Sequence, residues 1–195
     1  MPNVAVLTND LQYEFLEKTP ERKLATERVI PPFCSFLDGI RALGQVVVHL
    51  QLVNNPDDPQ VRRRYRDYIP VVRGTPGSRL VETFVHPSDI VMEKPRDSGF
   101  YDTALDEKLQ ELGVKTVIVT GLQTQICVQT TAADAFFRGY NVHVPADCVF
   151  SAREDDRKRA LDWMAAYCAT ITSAPEILAQ LKADGDLPRR APSQA

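Results

Sequence analysis

Short apolar runs rich in valine and isoleucine alternate with longer segments of helical period along almost the whole chain, and this alternation constrains the fold more than any other feature. Residues 4–7, 45–52, 90–93, 115–120, 141–144 and 168–172 read as strands: each is brief, β-branched and closed by polar or glycine residues. Between them, residues 21–43, 103–112, 124–138, 154–167 and 175–183 carry apolar side chains at helical spacing, several stopping at a glycine. Pro31-Pro32 predicts a kink or a restart in the first of these helices. Parallel neighbours need crossover connections, so strands that alternate with helices predict an α/β fold of three layers, α/β/α, around a mostly parallel central sheet of about six strands. From Asn54 to Ser78 the periodicity gives way to a long irregular loop punctuated by proline and glycine.

A chain of 195 residues with 44% hydrophobic content has room for one core. The expected organisation is a single domain over residues 1–183 with a flexible tail over 184–195. The formal net charge of −3 is spread along the chain, which argues against a nucleic-acid partner. No run approaches the length of a membrane span and no basic, apolar leader opens the chain, so a cytoplasmic protein without a membrane partner is expected. The four cysteines are far apart and show no metal-cage or disulfide spacing, so free thiols are expected.

In a parallel α/β sheet, ligands sit beyond the carboxyl ends of the strands. Three such ends carry reactive side chains: Asp10 after the first strand, Lys94 after the third and Cys127 just past the fourth. A thiol in the first turn of a helix beside an ammonium has a lowered pKa, and a nearby carboxylate can take its proton and later return it. Read singly, Cys127 could fill a core, Asp10 could cap a turn and Lys94 could sit in solvent. Together they are the parts of an acyl-transfer site.

Those residues sit in longer patterns: Asp10-Leu11-Gln12-Tyr13-Glu14-Phe15, Lys94-Pro95-Arg96-Asp97-Ser98-Gly99-Phe100 and Gly121-Leu122-Gln123-Thr124-Gln125-Ile126-Cys127-Val128. With Gly74-Thr75-Pro76-Gly77, the Thr131-Ala132-Ala133-Asp134-Ala135 segment, Arg138-Gly139-Tyr140 and Asp147, the chain resembles the isochorismatase-like cysteine hydrolase superfamily over roughly residues 4 to 173. The resemblance implies Cys127 as nucleophile, Asp10 as base and then acid, and Lys94 as the cation that holds both. It also implies a cis peptide at Leu122-Gln123, an oxyanion hole from the main-chain N–H groups of Gln123 and Cys127, and assembly into a homodimer or homotetramer. The expected activity is hydrolysis of a C–N bond in a small amide or ureido molecule. The alternatives are vinyl-ether hydrolysis of an isochorismate-like substrate, against which Cys127 counts, and a non-catalytic thiol-bearing binding protein.

Asn9, Tyr13, Phe15, Phe100 and Tyr101 flank the triad positions and are candidates for lining the substrate pocket, with Asn9 equally able to serve only the backbone. The nicotinamidase branch of the superfamily holds a metal on a D-x-H element, whereas this chain reads Gln51-Leu52-Val53-Asn54-Asn55 there, so neither metal nor cofactor is expected. His49, His86 and His143 are scattered, and His49 and His143 read as core positions. Arg62-Arg63-Arg64 with Arg66 is either a solvated face or a recognition patch for a substrate anion, and Trp163 reads as packing or a subunit contact.

Overall fold

In the computed structural model, which describes residues 2–189, β1 (Val4–Asn9) runs through the middle of a seven-stranded sheet. On one side lie β2 (Val46–Leu52) and then β3 (Ile90–Lys94); on the other lie β4 (Thr116–Leu122), β5 (Asn141–Pro145) and β7 (Thr170–Thr172). The two-residue β6 (Val149–Phe150) pairs with the end of β4 where β5 has already left it. Every one of these strand pairings is parallel.

Alternate residues of β1 serve the two faces. Val4 and Val6, with Val47 and Ile118, meet Phe33, Phe36, Leu37 and Ile40 of α2 (Pro20–Ala42) and Ile177 and Leu181 of α7 (Ala174–Asp184). Ala5 and Leu7, with Val48, Leu50, Val117 and Val119, meet α4 (Leu105–Glu111), α5 (Gln129–Phe137) and α6 (Glu154–Tyr167). Burial on both faces explains why the central strands read as unbroken apolar runs. Short helices α1 (Tyr13–Leu16) and α3 (Pro59–Arg64) complete the set.

Three expectations need correction. Pro31 and Pro32 do not interrupt α2, which is continuous over 23 residues. Both prolines and the residues one turn earlier, Glu27 and Arg28, are exposed, so water can take the carbonyls that lose their helical donors. The long loop is partly ordered as α3, capped by the Asp58 carboxylate accepting from Gln60 N at 2.7 Å. The tail is fastened as far as residue 188: Leu187 is buried, and the carbonyls of Leu187 and Pro188 accept from Asn141 Nδ2, each at 3.2 Å. Residues 190–195 of that expected tail lie outside the described residues.

The chain leaves β1 toward β2 on one side and reaches β4 on the other, so the order of the strands reverses between β1 and β4. In such a sheet the crevice at that reversal is where ligands bind. Asp10 and Cys127 follow the two strands that border it.

Candidate active site

Asp10 leaves β1 with a φ of 58°, a region that aspartate tolerates far better than branched residues. Its N–H donates to Leu50 O at 2.9 Å, and its Oδ1 accepts from Leu52 N at 3.0 Å, which fixes the carboxylate over the end of β2. Lys94, the last residue of β3, is 1% exposed, and its Nζ donates to Asp10 Oδ2 at 3.0 Å and to the carbonyls of Arg96 and Asp97 at 3.2 and 3.1 Å. An ammonium has three protons to give, and all three are engaged. Cys127 lies in a π turn, Thr124–Val128, that joins β4 to α5. Its buried Sγ is 3.8 Å from Asp97 Oδ1 and close enough to Asp10 and Lys94 that their charges act on it. The structure therefore brings Asp10, Lys94 and Cys127 together from strand ends far apart in sequence.

Burial pushes the Asp10 carboxyl above its ordinary range, against the pull of the Lys94 ammonium. Burial opposes the charge on Lys94 more than any single neighbour favours it, but the negative groups around it, Asp10 foremost and Asp97 among them, together outweigh burial and keep the amine protonated. The expectation of a lowered thiol pKa is corrected: burial first, and then the negative charge of Asp10, push Cys127 well above the ordinary thiol value, with Lys94 opposing. The resting arrangement is thus a neutral thiol beside a carboxylate that is paired with an ammonium. Such a carboxylate is suited to take the thiol proton as the sulfur attacks.

The motif residues around the triad brace it. Gln12 is fully buried; its Nε2 donates to Leu52 O and Ser78 O at 2.9 and 2.7 Å, and its Oε1 accepts from Leu52 N at 3.1 Å. Thr131 Oγ1 accepts from Gly99 N at 3.0 Å and donates to Asn9 Oδ1 at 3.2 Å, while Ser98 Oγ donates to Asp134 Oδ2 at 2.7 Å. These bonds tie the segment after Lys94 to the helix after Cys127. Gly121 has a φ of 98°, and a Cβ there would lie 2.2 Å from Asn9 O, so only glycine lets β4 close on β1 just before the site. The Leu122–Gln123 peptide is cis. Asp147 Oδ1 accepts from Ala174 N at 2.8 Å, a structural role at the start of α7.

The expected pocket residues divide. Asn9 is fully buried and its amide is spent on Thr120 O at 3.2 Å and on Thr131; Phe100 is buried with its ring centroid 6.0 Å from that of Tyr140. Both side chains are engaged within the fold rather than exposed at its surface. Phe15 lines a cavity of about 410 Å³ with Leu122, Gln123 and Phe150, at the same end of the sheet as the triad. Tyr13 is half-buried with its hydroxyl donating to Glu82, and Tyr101 is exposed with the Arg96 guanidinium 6.0 Å from its ring centroid.

Two side chains at the sulfur carried no motif signal of their own. Asp97 is one, and Arg64 is the other: Arg64 Nη1 reaches both Asp97 oxygens at 3.1 and 2.9 Å, so one member of the arginine run, still exposed to solvent, pairs with a carboxylate beside the site. Thr124 is fully buried and its hydroxyl finds no hydrogen-bond partner among the described residues.

The residues present do not fit the metal of the nicotinamidase branch. His49 is spent on Thr8 Oγ1 at 2.7 Å and Asp89 Oδ2 at 3.0 Å, His143 Nε2 faces Pro188 O at 3.0 Å, and His86 pairs with Ser88 Oγ at 2.8 Å. Among the described residues no cluster of three or more His, Cys, Asp or Glu is arranged to hold a cation.

A sequence profile of the isochorismatase domain matches residues 4–176. Among solved structures, the fold is similar to a cysteine hydrolase from Pseudomonas syringae pv. phaseolicola, with a TM-score of 0.85, 26% identity and 93% of each chain covered. It is also similar to N-carbamoylsarcosine amidase from Thermoplasma acidophilum, with a TM-score of 0.75, 31% identity and coverage of 89% of this chain and 97% of that one. Among curated sequences, it is 47% identical over 74 residues to the ureidoacrylate amidohydrolase RutB of Methylobacterium radiotolerans, a match covering 38% of this chain and 29% of that protein. The matches to three such relatives cover between 29% and 51% of their lengths.

Proposed function

The chain belongs to the isochorismatase domain family, and we propose that within it the protein is a cysteine hydrolase that cleaves a C–N bond of a small amide or ureido molecule through a thioester on Cys127. The observation that carries this reading is the buried ion pair, Lys94 Nζ to Asp10 Oδ2 at 3.0 Å, with the Cys127 thiol beside it. An uncompensated charge at this depth would cost several kcal/mol, so the pair is built as a unit around the sulfur. The similarity to an N-carbamoylsarcosine amidase and to a ureidoacrylate amidohydrolase supports the bond type.

On this reading Cys127 Sγ attacks the carbonyl carbon as its proton passes to Asp10. Lys94 holds the carboxylate in place and keeps it charged until that moment. The N–H groups of Gln123 and Cys127 receive the oxyanion, where one such donor contributes about 3 kcal/mol to the transition state. Protonated Asp10, whose burial favours the neutral form, gives the proton to the departing nitrogen. Water activated by Asp10 then cleaves the thioester and restores the thiol. Nucleophile, base, acid and cation are all supplied by side chains of this chain, and the substrate is a small molecule. A homodimer or homotetramer belongs to the same proposal, and light scattering on the purified protein measures it.

The test is a panel of small carboxamides, monosubstituted ureas and the enol ether isochorismate, assayed with wild type and Cys127→Ala. Hydrolysis of an amide or a urea that disappears in Cys127→Ala is the expected result. Cleavage of the enol ether alone, surviving in Cys127→Ala, would replace this reading with proton-driven chemistry at Asp10.

A further inference from the structure

The mechanism leaves one carboxylate beside the nucleophile without a task. Asp97 Oδ1 lies 3.8 Å from Cys127 Sγ, and the residue is held at both ends. Its main-chain carbonyl accepts from Lys94 Nζ at 3.1 Å, and its side chain takes Arg64 Nη1 at 2.9 and 3.1 Å. An ionised carboxylate only accepts hydrogen bonds, and it has about four sites to do so. Arg64 occupies two and the thiol a third. The thiol's site is released when its proton moves to Asp10.

The distances decide what comes to that released site. In a near-attack arrangement the carbonyl carbon stands about 3–3.5 Å from the sulfur. A carboxylate oxygen 3.8 Å from the same sulfur comes within N–H···O reach, about 2.7–3.2 Å, of a substituent one bond beyond that carbon when the carbon approaches on the Asp97 side of the sulfur. The carbonyl oxygen is excluded there, because it gathers negative charge and needs donors. The departing nitrogen is excluded too, because it must face Asp10 to receive a proton. The remaining substituent faces Asp97. A carbon group there would strip water from a charge and return nothing, whereas an N–H would donate to it.

We propose, resting on the thioester reading above, that Asp97, braced by Arg64, makes the site selective for a ureido carbon, one with nitrogen on both sides, over a simple carboxamide. The Sγ–C bond forms as the thiol proton goes to Asp10, and the C–N bond to the departing amine breaks as Asp10 returns that proton to the nitrogen. The enzyme then carries S-carbamoyl Cys127, its NH2 donating to Asp97. Water adds to the carbamoyl carbon with one proton passing through Asp10 to the sulfur. The C–S bond breaks, and the carbamic acid released decomposes to ammonia and carbon dioxide.

The carbamoyl adduct can be made without knowing the natural substrate, since cyanic acid adds to a thiol to give it directly. Cyanate and 4-nitrophenyl acetate therefore deliver two acyl groups that differ in NH2 against CH3. The experiment measures the rates at which each reagent labels Cys127, by mass spectrometry, in wild type, Asp97→Ala and Asp97→Asn, with the melting midpoint as a check on folding. A change in thiol nucleophilicity moves both rates, and the charge lost beside the cyanate anion is the same in Asp97→Ala and Asp97→Asn, so comparing the ratio between the two variants isolates the acceptor oxygen. The expected result is a carbamoyl-to-acetyl ratio that falls about tenfold or more in Asp97→Ala, the size of one lost hydrogen bond to a charge, and less in Asp97→Asn, which keeps an acceptor oxygen. A ratio unchanged in both variants, with wild type taking both labels, overturns the role of Asp97 and leaves the thioester reading standing. Failure of wild-type Cys127 to take either label removes the thioester reading and this proposal with it.

Discussion

At the scale of single residues, the proposed mechanism asks one buried carboxylate to take a proton and give it back. Burial raises the Asp10 carboxyl above its ordinary range while Lys94 pulls it back. In the proposed mechanism the active form has Asp10 ionised and Cys127 protonated, so kcat/KM should fall as pH drops through the raised Asp10 pKa. The acid limb of the profile therefore lies above that of an ordinary aspartate. The thiol, pushed well above its usual value, gives no alkaline limb near the ordinary thiol pKa. Lys94→Met removes the cation that favours the charged carboxylate, so its residual activity should show an acid limb at higher pH than wild type; a limb at the same pH would remove Lys94 from this role. Cys127, Asp10 and Lys94 were legible in the sequence because each follows a strand and sits in a recognisable pattern. The pairing of Asp97 with Arg64 was not, although both lie in segments the sequence singles out, because an aspartate in a turn meets an arginine 33 positions earlier only when the long loop folds back.

At the scale of elements, the alternation of strands and helices was readable because burial on both faces makes each central strand apolar. The two-residue β6 and the four-residue α1 were missed because neither is long enough to show a period. Two predictions belong here. Gly121→Ala places a methyl group against the main chain of Asn9, which parts β1 from β4 just where Asp10 and Cys127 are set. It should lower both the melting midpoint and kcat/KM, with the larger loss in activity. Asp89, just before β3, has a fully buried side chain that accepts from Arg41 Nε and Nη2 at 3.0 and 2.7 Å and from His86 N at 2.8 Å, with His49 Nε2 at 3.0 Å. Burial opposes its charge, but the bonds to His49 and Arg41 win and hold its carboxyl well below the ordinary range. This contribution to stability is present above the ordinary carboxylate pKa and is lost as pH falls below it. Asp89→Ala leaves buried partners unpaired and should cost about 3 kcal/mol in urea denaturation at neutral pH, with a smaller difference from wild type in acid. Because Asp89 lies at the opposite end of β3 from Lys94, kcat for the folded fraction should be unchanged.

At the scale of the whole molecule, the candidate site and the anchor of the segment after α7 lie at opposite ends of the sheet. The carboxyl ends of β1, β3 and β4 lead into Asp10, Lys94 and the turn of Cys127, while the amino ends of β4 and β5 anchor the segment that follows α7. Thr116 Oγ1 donates to Asp186 Oδ1 at 3.2 Å, and Leu187 packs into the core. The proline, glycine and charge content of that segment predicts a loose tail and hides the single leucine that docks. Ending the chain after residue 185 should cost about 2 kcal/mol, the burial of one leucine, as measured by chemical denaturation, and leave kcat/KM at ambient temperature unchanged. The measurement that bears most directly on the whole account is rapid-quench mass spectrometry of the enzyme during turnover of a ureido or amide substrate. The account predicts a substrate-derived acyl group mapped to Cys127, formed and discharged at rates compatible with kcat and absent in Cys127→Ala. Full turnover with no adduct on Cys127, or with Cys127→Ala as active as wild type, would contradict it.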